Sequence, residues 1–238
     1  PADCSEPVCP LCDGLGQGRI VRPVGHPQCG QLQRCPCKFE DDMKNIRSIS
    51  GLTEHELTYR LSGIDATGRK ATAAMIAACR EFILNPTNII TLWGTSGNAK
   101  SVAVISTVNE LIEQRHHAVY VLAFDLINYI RSAYDQKTNE VKDDNAYSRL
   151  IRFERVPVLA IDELDKIFPL SDWEVKQITD LIDHRYRLGL DGKAGTLITM
   201  NKSPFDVFEE LYHILSRLKD GRNKIISNND SDLRPRMK

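Results

Sequence analysis

The stretch Trp93-Gly94-Thr95-Ser96-Gly97-Asn98-Ala99-Lys100-Ser101 decides how the rest of the chain is read. It follows a compact, β-prone apolar run from Thr87 to Trp93 and precedes a segment, Val102 to Leu111, whose apolar residues recur at helical spacing. Strand, glycine-bearing loop and helix in this order form the context in which free backbone N–H groups cradle a phosphate. Gly94, Lys100 and Ser101 fit the pattern G-x-x-x-x-G-K-[ST], whereas Ala99 stands where the pattern has glycine. Gly94 and Gly97 let the backbone curl close to an anion with no side chain in the way. The expected ligand is ATP, held by the loop residues Gly94, Thr95, Ser96, Gly97, Asn98 and Ala99 and by the helix start at Lys100, Ser101 and Val102. Lys100 is expected at the β- and γ-phosphates and the Ser101 hydroxyl on Mg²⁺. The added methyl of Ala99 bears on the rate of hydrolysis more than on binding.

Outward from this loop the pattern alternates strand and helix, which predicts an α/β fold with a parallel five-stranded sheet flanked by helices. Strands are expected over residues 88–93, 118–123, 156–161, 196–200 and 224–227, and helices over 67–84, 101–114, 126–134 and 173–187. The third strand ends in Val158-Leu159-Ala160-Ile161-Asp162-Glu163, an apolar run closed by two acids. An acid pair at the carboxyl edge of a buried strand complements the phosphate loop. Asp162 is the expected Mg²⁺ carboxylate, and Glu163 the base that orients and deprotonates an attacking water. The fourth strand ends in Asn201, an amide expected to reach the same water and γ-phosphate.

A formal net charge of −1 gives no global signature of nucleic-acid binding, so any such contact rests on local patches or on assembly. No run is long enough to span a membrane. The opening residues carry neither a basic nor an apolar export region, and the reading is a cytoplasmic chain. Six of the seven cysteines fall in the opening segment, where clustering without an export signal points to metal rather than disulfides. Cys9-Pro10-Leu11-Cys12 and Cys35-Pro36-Cys37 form two close pairs around a glycine-rich, β-like excursion, a set able to converge on one Zn²⁺ as four thiolates. Cys4, Cys29 and His26 are further candidate ligands. Cys79, in an alanine-rich stretch, reads as a packed apolar residue. The expected division is a zinc-binding head over 1–45, a helical linker over 46–85 and an ATPase domain over 86–238.

With these pieces in order the chain resembles the AAA+ ATPases of the DnaC/DnaI helicase-loader and IstB transposition-helper group. The resemblance runs from Ser50-Gly51-Leu52 to Asp232-Leu233-Arg234 and rests on Val119-Tyr120-Val121, Asp125-Leu126-Ile127, Val158 to Glu163, Leu181 to Tyr186, Thr196 to Asn201 and Leu215-Ser216-Arg217-Leu218. It implies a P-loop AAA+ ATPase domain with minimal or no lid, and the cysteine head is similar to the zinc-bearing N-terminal domain of DnaI-type loaders. Arg217 matches the arginine finger, acting in a neighbouring subunit's site, and Arg234 matches the second sensor, touching the γ-phosphate in cis. Action in trans implies a homo-oligomer, a spiral or ring. The implied partners are a replicative DNA helicase and single-stranded DNA, in replication of a phage, prophage or mobile element. Arg131, Tyr134 and Lys137 are candidate contacts to the strand. The alternatives are an IstB-like transposition helper and an ATP-gated DNA-binding module with little hydrolysis.

Overall fold

A computed structural model describes residues 9–13, 15, 17–19, 23, 32–34, 52–135 and 146–233. The chain divides into two compact units, Pro1–Ile49 and Ser50–Lys238. In the first, the Cys9 carbonyl accepts from the N–H groups of Cys12 at 3.3 Å and Asp13 at 2.9 Å, curling the Cys9–Cys12 segment into a tight turn. Strands β1 (Gln17–Arg19) and β2 (Leu32–Arg34) then pair antiparallel, with Gln17 opposite Arg34.

In the second unit β3 (Ile89–Trp93), β4 (Ala118–Leu122), β5 (Val158–Asp162), β6 (Gly195–Met200) and β7 (Lys224–Ser227) form one parallel sheet in the order β4-β5-β6-β3-β7. All residues of β5 and β6 are buried, so the central strands read as unbroken apolar runs rather than alternations. The connecting helices are α1 (Lys70–Leu84), α2 (Lys100–Glu113), α3 (Ala123–Asp135), α4 (Ala146–Arg155), α5 (Asp172–Leu190), α6 (Pro204–Val207) and α7 (Tyr212–Leu218). They pack in two groups, α1 with α2, and α3, α4, α5 and α7 in succession.

Local chemistry explains the boundaries. Helix α5 opens on a capping box, in which the Ser171 hydroxyl accepts from the Glu174 N–H while Glu174 accepts from the Ser171 N–H at 2.9 Å. The Asp230 carboxylate accepts from the N–H and hydroxyl of Thr72 in the first turn of α1. These bonds hold its acid below the usual carboxylate range. Helix α1 packs on α2 and β7, so residues 52 to 85, the described part of the linker expected over 46–85, belong to the sheet unit. Cys79 is fully buried on α1, as expected, and burial pushes its thiol up to about 11. Helix α3 begins at Ala123 rather than 126, and β5 extends to include Asp162. Helix α4 is an element the apolar pattern did not disclose. Among the described residues no helix is long and apolar enough to cross a membrane.

Candidate functional site

Parallel strands deliver their carboxyl ends to one edge of the sheet, and β6 lies between β3 and β5. The loop after β3, the acids ending β5 and the amide after β6 therefore meet by topology. Ser96, Gly97, Asn98, Ala99, Lys100, Ser101, Val102, Glu163 and Asn201 line one open cleft of about 490 Å³, with Lys166 and Leu233. Gly94 and Thr95 stand behind it and supply carbonyls to Lys100.

The loop is held in shape by its own groups. The Lys100 ammonium donates to Gly94 O at 2.8 Å, Thr95 O at 2.7 Å and Asn98 Oδ1 at 3.1 Å. Burial lowers the lysine's pKa, and Asp162, Asp165 and Glu163 oppose that shift. Asn98 is fully buried; its side chain donates to Asn228 O, and its own carbonyl accepts from Asn228 Nδ2 at 3.0 Å. Gly94 and Gly97 lie at φ 137° and 83°, a region costly for residues bearing Cβ. A Cβ at Gly94 would strike Asn228 O at 2.1 Å, and one at Gly97 the Asp232 carboxylate at 2.1 Å. The segment after β7 thus lies against the loop, and the Leu233 N–H donates to Gly97 O at 2.8 Å.

Ala99 is the N-cap of α2, at φ 63° and ψ 20°, with no side-chain cap. The residue that departs from the motif occupies the left-handed conformation for which the motif keeps glycine. That backbone costs a residue with Cβ about 1–2 kcal/mol. The N–H groups of the first turn of α2 accordingly face the cleft without a capping side chain, the arrangement that favours an anion.

Across the cleft, Asp162 is 2% exposed and collects hydroxyls. Ser101 donates to its Oδ1 at 3.1 Å, Tyr120 donates to its Oδ2 at 2.6 Å, and Thr199 donates to Oδ1. Burial first, and then the charge of Asp162, pushes the Tyr120 phenol far up, so it remains a donor. Glu163, like Ala99 across the cleft, lies in the left-handed region, at φ 57° and ψ 42°. Its N–H donates to Thr199 Oγ1 at 2.9 Å, and its carboxylate pairs with Lys166 at 2.5 Å. Asp165 accepts from the N–H groups of Asn201 at 2.9 Å and Lys202 at 3.1 Å, fixing the turn that carries Asn201. Tyr120, Thr199, Asp165 and Lys166 were not picked out as site residues. The available signal was polarity inside strands buried on both faces, and a further acid and base within one turn of Glu163.

No family model and no curated protein matches the chain. Solved structures do. The crystal structure of the DnaC helicase loader superposes with a TM-score of 0.59 at 19% identity, covering 74% of this chain and 100% of that one. That of DnaI gives 0.60 at 17%, covering 77% and 95%. The replication initiator DnaA bound to AMPPCP and single-stranded DNA gives 0.59 at 14%, covering 73% of this chain and 50% of that one. The chain likewise spans half the length, 50%, of a matching DNA replication initiation factor. The fold is that of the DnaC and DnaI structures.

The remaining expected residues lie apart from this cleft or outside the described residues. Arg217, on α7, donates to Asp183 Oδ1 at 2.8 Å, and its guanidinium lies 4.9 Å from the Tyr186 ring centroid. It lines a different cavity, with Asp183, Arg187 and His213. Arg131, a candidate contact to a DNA strand, pairs with Glu174 of the α5 capping box and so ties α3 to α5. Arg234 falls outside the described residues, as do Lys137, Cys4, His26, Cys29, Cys35, Cys37 and the side chain of Tyr134.

Proposed function

We propose that the chain is an ATPase that loads a replicative DNA helicase onto single-stranded DNA, working as a homo-oligomer. The observation that carries the reading is the convergence of Lys100, Ser101, Glu163 and Asn201 on one cleft, with Asp162 hydrogen-bonded to Ser101 at its wall. A hydroxyl and a carboxylate sharing one hydrogen bond are hard oxygen donors, the type of set that Mg²⁺ takes together with phosphate oxygens. Ser101 and Asp162 would hold the ion, which when bound neutralises phosphate charge.

The chain's own groups account for the rest. The loop N–H groups and the first turn of α2 bind the phosphates, and Lys100 turns from its own loop carbonyls to the transferring group. Glu163, with Lys166 as its counter-ion, accepts the proton of the attacking water; Asn201 orients that water and the γ-phosphate. Arg217 acts on the neighbouring subunit's nucleotide, and Arg234 follows directly on Leu233, whose N–H is bonded to the loop. Helicase loading is supported by likeness of fold to DnaC and DnaI, and a single-stranded DNA partner by likeness to DnaA bound to that ligand. A zinc-folded head of Cys9, Cys12, Cys35 and Cys37 rests on the spacing of the two cysteine pairs in the sequence.

Glu163→Gln tests the chemistry. Its turnover should fall by at least about 100-fold, the usual contribution of a positioned base, while ATP binding is retained. Turnover equal to that of the parent chain sinks the assignment. Capture of a replicative helicase by the parent chain only with ATP present checks the partner.

A further inference from the structure

Thr199 takes no part in the phosphate loop or the acid pair, yet its hydroxyl joins both members of that pair. It is 1% exposed, the last residue but one of β6, and lies beside the carboxyl end of β5. Its hydroxyl donates to Asp162 Oδ1 and accepts the Glu163 N–H at 2.9 Å. One oxygen therefore fixes the carboxylate that faces Ser101 and the strained backbone from which the Glu163 side chain projects. Asp162 has a second buried anchor, the Tyr120 hydroxyl on its other oxygen, but Tyr120 does not touch Glu163. The strand that carries this hydroxyl ends one residue before Asn201.

We propose that Thr199 is a positioning residue that sets Asp162 and Glu163 together, so that cation binding and base geometry depend on a single hydroxyl of β6. The assignment rests on the ATPase reading above and extends it to a buried residue that does not line the cleft. A left-handed glutamate persists only where its surroundings over-determine it, and the bond from its N–H to Thr199 is one such constraint. The apolar partners of β6 hold the strand whether or not the hydroxyl is present, so its loss acts on the two acids and not on the sheet.

The test compares Thr199→Val, which keeps the shape and removes the hydroxyl, with Thr199→Ser, which keeps the hydroxyl. The first readout is the Mg²⁺ concentration that half-saturates binding of a fluorescent, slowly hydrolysed ATP analogue; the second is the split of turnover into kcat and KM. For Thr199→Val the half-saturating Mg²⁺ should rise about 10-fold and kcat should fall about 10-fold or more, with KM little changed. Thr199→Ser should restore both to within about 2-fold of the parent chain, since a hydroxyl can still donate and accept. If the valine chain does not fold, Thr199→Ala is measured in its place, with the same expectation. A valine or alanine chain that titrates with Mg²⁺ as the parent does overturns the proposal, and so does a serine chain as impaired as the valine one. A parent chain that binds no nucleotide overturns the ATPase reading and this inference with it; a parent that binds but does not turn over overturns hydrolysis alone, and the Mg²⁺ titration still decides Thr199.

Discussion

The two edges of the sheet each bury a cation, and they treat it differently. At the amino edge Arg185 of α5 is 1% exposed and donates to Phe153 O, Glu154 O, Val156 O, Gly195 O and Thr196 Oγ1. At the carboxyl edge Lys100 is 6% exposed and donates to two loop carbonyls and one amide oxygen. Burial lowers both, Arg185 to about 9, which leaves the guanidinium charged at neutral pH. The planar fork of Arg185 is consumed by carbonyls that end α4 and begin β5 and β6, so it acts as a rivet. Lys100 is a single ammonium on a flexible stem among three carboxylates, and its bonds can be exchanged for those of an anion. Stability is concentrated at one edge and exchangeable polarity at the other.

The most severe way to break this contrast is Arg185→Leu. It strands several buried carbonyls at once, and unfolding free energy should fall by about 3–5 kcal/mol, read from denaturant titration. Nucleotide affinity of the folded fraction should be unchanged; a loss of affinity comparable to the loss of stability would mean that the edges are coupled. Lys100→Ala is the converse. Nucleotide affinity should fall about 10- to 100-fold, the worth of a charge-assisted bond of about 1.5–3 kcal/mol, with a smaller change in stability. Equal effects of Lys100→Ala on stability and binding would show that the ammonium is a second rivet.

The sheet, its strands and the cleft were legible because parallel strands buried on both faces must be written as apolar runs, and because the loop and the acid pair follow such runs directly. Val158 to Asp162 and Gly195 to Met200 are examples. Thr199 and Tyr120 were hidden by the same rule, since a single hydroxyl within an apolar strand changes the pattern little. Arg185 reads in the sequence as one more polar position on a long helix, and only the fold brings five oxygens around it. Arg131 reads in the sequence as a candidate strand contact, and only the fold discloses its partner Glu174, distant in sequence. Helix α4 was missed because it is short and its apolar Leu150, Ile151 and Phe153 are interleaved with Arg149, Arg152, Glu154 and Arg155.

The smallest expected effect sharpens the contrast at its most exposed point. Ala99 bears the left-handed backbone that α2 needs at its N-cap, and its methyl side chain makes no capping hydrogen bond. Glycine adopts that backbone without the clash of about 1–2 kcal/mol, though it also gives the unfolded chain more freedom, worth about 0.4–1 kcal/mol. Ala99→Gly should therefore stabilise the chain by up to about 1 kcal/mol, measured as a raised denaturation midpoint with an unchanged slope. Its effect on kcat reads the consequence of the strain separately from its magnitude. A faster chain would mean that the alanine methyl limits how closely the loop follows the transferring phosphate. An unchanged rate with raised stability would mean that the strain is carried wholly by the fold. A destabilised Ala99→Gly chain would contradict the left-handed N-cap itself, and with it the account of why this loop can depart from its motif and keep its shape.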